Sequence, residues 1–220
     1  MSKVKNGGKT RAPRRIDERV DDAAAGARAT RAGPRILRII GGRHRGRKLR
    51  FPAGVEIRPT PDRVRETLFN WLQPRLEGAR VLDLFAGSGA LGLEALSRGA
   101  AQVTFVERDR RASSAIAQLL EEWRETAGTV VSVDALAWLA GAGTPSFDIV
   151  FLDPPYDAEL LGKAAGMLDA AGRLAPDARV YLERRASEPL AALPDRWREL
   201  RAGRAGEVGY HLFSVEPRAT

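Results

Sequence analysis

Two short runs in this 220-residue chain hold the residues best suited to chemistry. The first is Asp83-Leu-Phe-Ala-Gly87-Ser-Gly89-Ala-Leu-Gly92, set between an apolar strand-like run and a helical one. Glycines let the backbone pass close to a ligand, and the start of a helix offers unpaired N–H groups. Gly87, Gly89 and Gly92 fit the spacing of a dinucleotide loop. Glu107, 20 residues past Gly87 and at the end of the next strand-like run, fits the acid that holds a ribose. These features alone suit either a nicotinamide dinucleotide or S-adenosylmethionine. Asp83 tips the balance: a carboxylate ahead of the loop suits the ammonium of a methionine moiety and repels a pyrophosphate. A tight strand-to-helix turn without a ligand is the plainer alternative.

The second run is Asp153-Pro-Pro-Tyr156, directly after the apolar stretch 147–152. An exocyclic amino group on a nucleobase is a poor nucleophile because its lone pair is delocalised into the ring. A carboxylate and the Pro154 carbonyl can each accept one of its N–H bonds, drawing the nitrogen toward tetrahedral geometry. The prolines Pro154 and Pro155 fix the backbone so that this carbonyl points inward. Tyr156 offers a flat face for an extruded base. A proline-rich turn explains Pro-Pro alone, but not the flanking Asp and Tyr downstream of a nucleoside loop. Asp134 stands after a third β-prone run, where its carboxylate accepts from an adenine amino group, caps the following helix, or does both.

The elements that must position these residues alternate. Strands are expected at 81–85, 103–106, 129–133, 147–152 and 178–182, with helices at 90–98, 110–124, 134–139 and 158–168 between them. Short apolar strands separated by helices imply a parallel sheet covered on both faces. The segments 197–201 and 208–215 read as a terminal antiparallel hairpin. Upstream, Ile36, Leu37, Ile39 and Ile40, broken by Gly41-Gly42, pair with a returning strand within 43–51 to form a small hairpin. Thr60-Pro61 reads as an N-cap with proline at the first helical position, followed by a helix buried through Val64, Leu68, Trp71 and Leu72 that Pro74 ends.

Charge is segregated. Residues 1–35 carry ten Lys/Arg against four Asp/Glu, residues 36–58 seven against one, and the remainder 19 against 23. A basic excess confined to the N-terminal side points to an arm for a polyanion rather than a generally basic protein. Residues 1–34 hold almost no large apolar side chains and are expected to be a disordered basic tail. The domains expected are thus this tail, a basic β-hairpin at 35–58 and a catalytic domain at 59–220. With no cysteine and two histidines, disulfides, cysteine-bound zinc and a covalent cysteine intermediate are excluded, and no metal site is expected. No apolar run reaches membrane-spanning length, and a cytoplasmic monomer is expected.

Taken together, the sequence resembles the RsmD family of bacterial 16S ribosomal RNA methyltransferases. The resemblance runs from about residue 35 to 215. It rests on Arg38-Ile-Ile-Gly-Gly-Arg-His-Arg-Gly-Arg-Lys48, Arg58-Pro-Thr-Pro-Asp-Arg-Val-Arg-Glu-Thr-Leu-Phe-Asn70 and the stretch from Asp83 to Arg98. Asp-Pro-Pro-Tyr is shared with many amino-methyltransferases; the second stretch narrows the choice, and the tail is a departure from the family. The resemblance implies a class I, Rossmann-like α/β fold with a seven-stranded, mostly parallel sheet. It implies methyl transfer from S-adenosylmethionine to N2 of a guanine in small-subunit rRNA, free or in an assembling subunit. It places Asp83, Phe85, Ala86, Gly87, Ser88, Gly89, Glu107, Arg108, Asp134, Ala135 and Thr60 around the cofactor. Asp153, Pro154, Pro155 and Tyr156 would hold the guanine. Arg43, Arg45, Arg47, Lys48, Arg58 and Arg63 would contact RNA. A DNA or RNA adenine-N6 methyltransferase, a nicotinamide dehydrogenase and a non-catalytic RNA-binding module are the rivals. The first lacks residues for a target-recognition region, the second a hydride-transfer His–carboxylate pair, and the third a use for Asp153–Tyr156.

Overall fold

The computed structural model describes residues 36–50, 60–141, 146–155 and 158–218. The expected tail, Arg58 and Tyr156 lie outside the described residues. Strand β1 (Ile36–Arg38) pairs antiparallel with β2 (Lys48–Arg50). Helix α1 (Asp62–Leu76) follows. Then come β3 (Arg80–Asp83), α2 (Ala90–Ser97), β4 (Gln102–Val106), α3 (Arg110–Glu122), β5 (Gly128–Val131) and α4 (Ala135–Ala140). The chain closes with β6 (Phe147–Leu152), α5 (Ala158–Ala170), β7 (Leu174–Arg185), β8 (Trp197–Ala205) and β9 (Val208–Val215).

Seven of these strands form one sheet in the order β5-β4-β3-β6-β7-β9-β8. β3 to β7 run parallel, and β9 is antiparallel to both of its neighbours. The alternation of side chains along each strand explains the continuous apolar runs, since both faces are buried. Val81, Phe105, Phe151 and Tyr181 join one core with α1, α2 and α3. Leu82, Val106, Val150 and Leu182 join the other with α4 and α5. From β3 the chain winds outward to β4 and β5, then returns to place β6 on β3's other side. The crevice at the carboxyl ends of β3 and β6 is therefore the topological switch point, where doubly wound sheets bind ligands.

The β1–β2 hairpin packs on the first core rather than hanging free: Leu37, Ile39 and Leu49 are buried in it. Glu94 of α2, itself fully buried, accepts the N–H groups of Ile40 at 2.7 Å and Gly41 at 2.8 Å and the Arg98 Nε at 2.7 Å. Arg65 of α1 is fully buried beside it and donates to the Arg38 carbonyl at 2.8 Å. Gly42 sits at φ +75°, where a Cβ would lie 1.8 Å from the Ser97 carbonyl oxygen. Only glycine lets the loop come this close to the end of α2, where Arg43 N–H reaches the same carbonyl at 2.8 Å.

Two helix-boundary expectations are corrected. Thr60 does not cap α1: the N-cap is Pro61 and no side chain caps the helix. The Thr60 hydroxyl is instead drawn to a buried carboxylate, donating to Glu183 Oε1 at 2.7 Å. Pro74 lies inside α1, which continues to Leu76. The proline removes one backbone hydrogen bond, and buried Leu76 holds the last turn. Strand β7 is also longer than its apolar stretch, because residues 183–185 pair with β9 through backbone bonds that need no apolar side chain.

Candidate active site

Asp83 ends β3 opposite Phe151 of β6, and the glycine loop turns from it into α2. Its carboxyl is 3% exposed and accepts the Gly92 N–H at 3.0 Å. Burial pushes its pKa up to about 7; the Gly92 N–H pulls it down, and the nearby Glu107 carboxylate adds a smaller upward push. An acidic group buried this way is stabilised by any ligand that brings a positive charge, which fits the ammonium of a methionine moiety. The loop itself turns at Gly87 and Gly89, both at positive φ. Phe85 is half-buried against the α4–α5 core, and Ala86 N–H is taken by the Val106 carbonyl at 3.0 Å. Ser88 turns its Oγ back to the Ala90 N–H at 3.2 Å, supporting the start of α2.

Glu107, at the carboxyl end of β4, clasps the loop. Its Oε2 accepts the Gly87 N–H and its Oε1 the Asp109 N–H, each at 2.7 Å. A carboxylate has about four acceptor sites, so one so oriented can still accept from the vicinal hydroxyls of a ribose. Asp134 follows β5 and is the N-cap of α4: its Oδ1 accepts from Leu136 at 3.0 Å and Ala137 at 3.1 Å. Both bonds fall on one oxygen, so capping and adenine binding are compatible. Ala135 is buried in the first turn of that helix, and Arg108 is exposed.

Asp153 leaves β6 immediately after Leu152, which pairs with Leu182 of β7. It is half-buried, Pro154 is buried and Pro155 exposed. Along the sheet edge the order is thus Asp134, Glu107, Asp83, Asp153 and Glu183. The three groups suited to a nucleoside and its amino-acid tail lie together, and Asp153 stands next to the tail end. Thr60 falls on the β7 side of Asp153 rather than with the glycine loop, through its bond to Glu183.

The hairpin cations divide. Arg43 is paired with Glu125, and His44 is buried against Trp123 with ring centroids 4.8 Å apart. Arg47 lies 5.3 Å over the same indole. All of Arg43, Arg45, Arg47, Lys48 and, on α1, Arg63 are exposed. Sequence reasoning missed four buried charged residues among those described: Arg65, Glu94, Arg173 and Glu183. For Glu94 a signal existed, a lone carboxylate in the otherwise apolar α2. For Glu183 it was the position at a parallel strand's carboxyl end.

Comparison with known proteins identifies the family. A family model described as Conserved hypothetical protein 95 matches residues 37–214. Ribosomal RNA small subunit methyltransferase D of Escherichia coli K12 is 46% identical over 185 residues, covering 84% of this chain and 93% of that protein. The Haemophilus influenzae protein of the same name is 41% identical, covering 80% of this chain and 93% of its own length. A solved structure, putative methyltransferase yhhF from Escherichia coli, superposes with a TM-score of 0.78 at 44% identity, over 83% of this chain and 99% of that one. The fold is also that of a magnesium protoporphyrin IX methyltransferase from Synechocystis with bound S-adenosylmethionine, with a TM-score of 0.54 at 15% identity over 74% of this chain and 88% of that one. With a loop and carboxylates that fit S-adenosylmethionine and an Asp-Pro-Pro turn beside them, the chain belongs to the RsmD family of class I, S-adenosylmethionine-dependent rRNA methyltransferases.

Proposed function

We propose that this protein methylates N2 of a guanine in small-subunit ribosomal RNA, acting as a monomer on the free RNA or an assembling subunit. The observation that carries the reading is the placement of Asp153 and Pro154 at the end of β6, beside Asp83 at the end of β3, in the switch-point crevice. Asp83 holds the cofactor's ammonium, Glu107 its ribose, and Asp134 its adenine. When bound, S-adenosylmethionine supplies an electrophilic methyl group on its sulfonium.

The chain's own contribution is to prepare the nucleophile. The Asp153 carboxylate and the Pro154 carbonyl accept the two N–H bonds of the guanine amino group, so its lone pair is freed from the ring and aimed at the methyl. Tyr156 stacks on the extruded base. No acid or base with a matched pKa is required before transfer, because the amino nitrogen attacks as a neutral group and loses its proton to water afterwards. Holding both partners in line and excluding water accounts for most of the acceleration. The hairpin's exposed cations, with Arg58 and Arg63, hold RNA phosphates, which set affinity and orientation.

The test is transfer of a labelled methyl group to purified 16S RNA, to small-subunit particles and to duplex DNA, with the product nucleoside identified by mass spectrometry. N2-methylguanosine from one of the ribosomal substrates supports the proposal. N6-methyladenine, or label in DNA alone, refutes it.

A further inference from the structure

Glu183 is a buried carboxylate, 5% exposed, at the carboxyl end of β7. The register that pairs Leu152 with Leu182 brings it out beside Asp153, on the side away from the glycine loop. Two hydroxyls hold it in place: Thr60 Oγ1 donates to Oε1 at 2.7 Å and Tyr181 Oη donates to the same oxygen at 2.8 Å. Tyr181 is fully buried, and its hydroxyl is held well above its ordinary pKa by burial first, then by Glu183, with Asp153 and Tyr210 adding to it. Asp153 and Glu183 therefore share the surroundings of one phenol. Thr60 reaches this site from the loop before α1, forgoing the helix cap its position would allow.

The order of groups along the sheet limits what Glu183 can meet. A base whose amino group sits at Asp153 with its reacting nitrogen toward Asp83 turns the rest of its pairing edge toward β7. On a guanine, the group next to the amino nitrogen on that edge is N1–H, a donor. On an adenine, or on 2,6-diaminopurine, it is an unprotonated acceptor nitrogen. A carboxylate accepts N1–H and repels a bare lone pair, so a base lacking that proton loses a hydrogen bond and meets a repulsion in a buried site.

We infer that Glu183, oriented by Thr60 and Tyr181, accepts the N1–H of the target base and so selects guanine over bases that lack this proton. The inference rests on the amino-group reading above and adds the residue that sets base identity. Asp153 activates the amino group; Glu183 decides which purine may present one.

The experiment maps the methylated guanine and replaces it in the substrate by 2,6-diaminopurine, which keeps the 2-amino group but lacks N1–H. The kcat/KM for both substrates is then compared in the wild type, Glu183→Gln and Thr60→Val. The wild type is expected to favour guanine by about tenfold to a hundredfold, the range a well-placed hydrogen-bonding pair gives to base discrimination. In Glu183→Gln the preference should shrink toward parity or reverse, since a glutamine amide can donate to the bare nitrogen. The glutamine oxygen still accepts from Thr60 and Tyr181, so the fold and the affinity for S-adenosylmethionine should persist. Thr60→Val should reduce the preference by less, because one of the two orienting hydroxyls remains. If Glu183→Gln lowers both rates equally and leaves the preference unchanged, Glu183 is structural and the inference is overturned. A wild type that uses both substrates equally overturns it without any variant. A wild type that modifies no guanine amino group refutes the proposed function itself, a distinguishable failure.

Discussion

Lowering the pH from about 7.5 to about 5.5 should weaken S-adenosylmethionine binding about 25-fold, through protonation of one buried carboxyl. Asp83 has a pKa of about 7 in the unliganded protein, raised chiefly by burial from an ordinary 3.8. The cofactor's ammonium stabilises only the ionised form. At about pH 7.5 roughly three-quarters of the protein is ready to bind, and at about pH 5.5 roughly one part in thirty, a difference of about 2 kcal/mol. An α-amino group ordinarily titrates near 8, so the ligand itself remains mostly charged across this range. The unliganded fold responds with the opposite sign. A carboxyl whose pKa is raised by folding stabilises the protein fully below its unfolded pKa, and that stabilisation is lost as pH rises through about 7. Relative to Asp83→Asn, the unliganded wild type should lose about 2 kcal/mol between about pH 5.5 and about pH 7.5. Calorimetric titration across this range, with denaturant unfolding of wild type and Asp83→Asn, measures both effects. Cofactor affinity that is flat with pH in the wild type, or equally steep in Asp83→Asn, would refute the reasoning.

Three further outcomes are expected. Asp153→Ala should lower methyl transfer about 100-fold or more while leaving cofactor affinity unchanged, because the carboxylate positions the base. Asp153→Asn should retain part of the activity through its amide oxygen, and a wild-type rate in the alanine variant would exclude the mechanism. Replacing exposed Arg45 and Lys48 together by Ala should flatten the slope of log affinity against log salt by about 1.5 to 2 with RNA, with no loss of stability. An unchanged slope would mean that RNA is held elsewhere. Glu94→Ala should destabilise the protein by about 3 to 5 kcal/mol in denaturant unfolding, because it removes the buried one of Arg65's two carboxylate partners, leaving exposed Asp62, and frees the Ile40 and Gly41 N–H groups. A loss under about 1 kcal/mol would show that the hairpin does not depend on this buried acid.

Much of the site was legible in the sequence because its signals are local. The glycine loop needs positive φ at particular positions, and the acid after the next strand is set by the length of one β-α-β unit. Asp153-Pro-Pro carries its chemistry within three consecutive residues. The strands of the sheet were legible for a related reason: burial on both faces demands unbroken apolar runs, which only short segments such as 149–152 supply. The parallel architecture follows from their alternation with helices.

What the sequence could not decide is whatever depends on partners far apart in the chain. Thr60 and Pro61 carry the local pattern of a helix cap, yet the Thr60 hydroxyl bonds Glu183, 123 residues away, because a buried carboxylate must find donors wherever the fold brings them. The basic hairpin reads as a uniformly cationic surface, but folding sorts its charges. Arg43 pairs with Glu125 and Arg47 lies over Trp123, while Arg45 and Lys48 carry no such contact, although all four stay exposed. Arg65 looks like a solvated helix charge and is instead, with Glu94, a buried pin between α1, α2 and the hairpin. Residue type and spacing thus determined the glycine loop, the Asp-Pro-Pro turn and the class of sheet, since each is enforced by the backbone of a few adjacent residues. Only the tertiary structure decided which polar groups are buried and paired, because that depends on which surfaces the sheet order brings together.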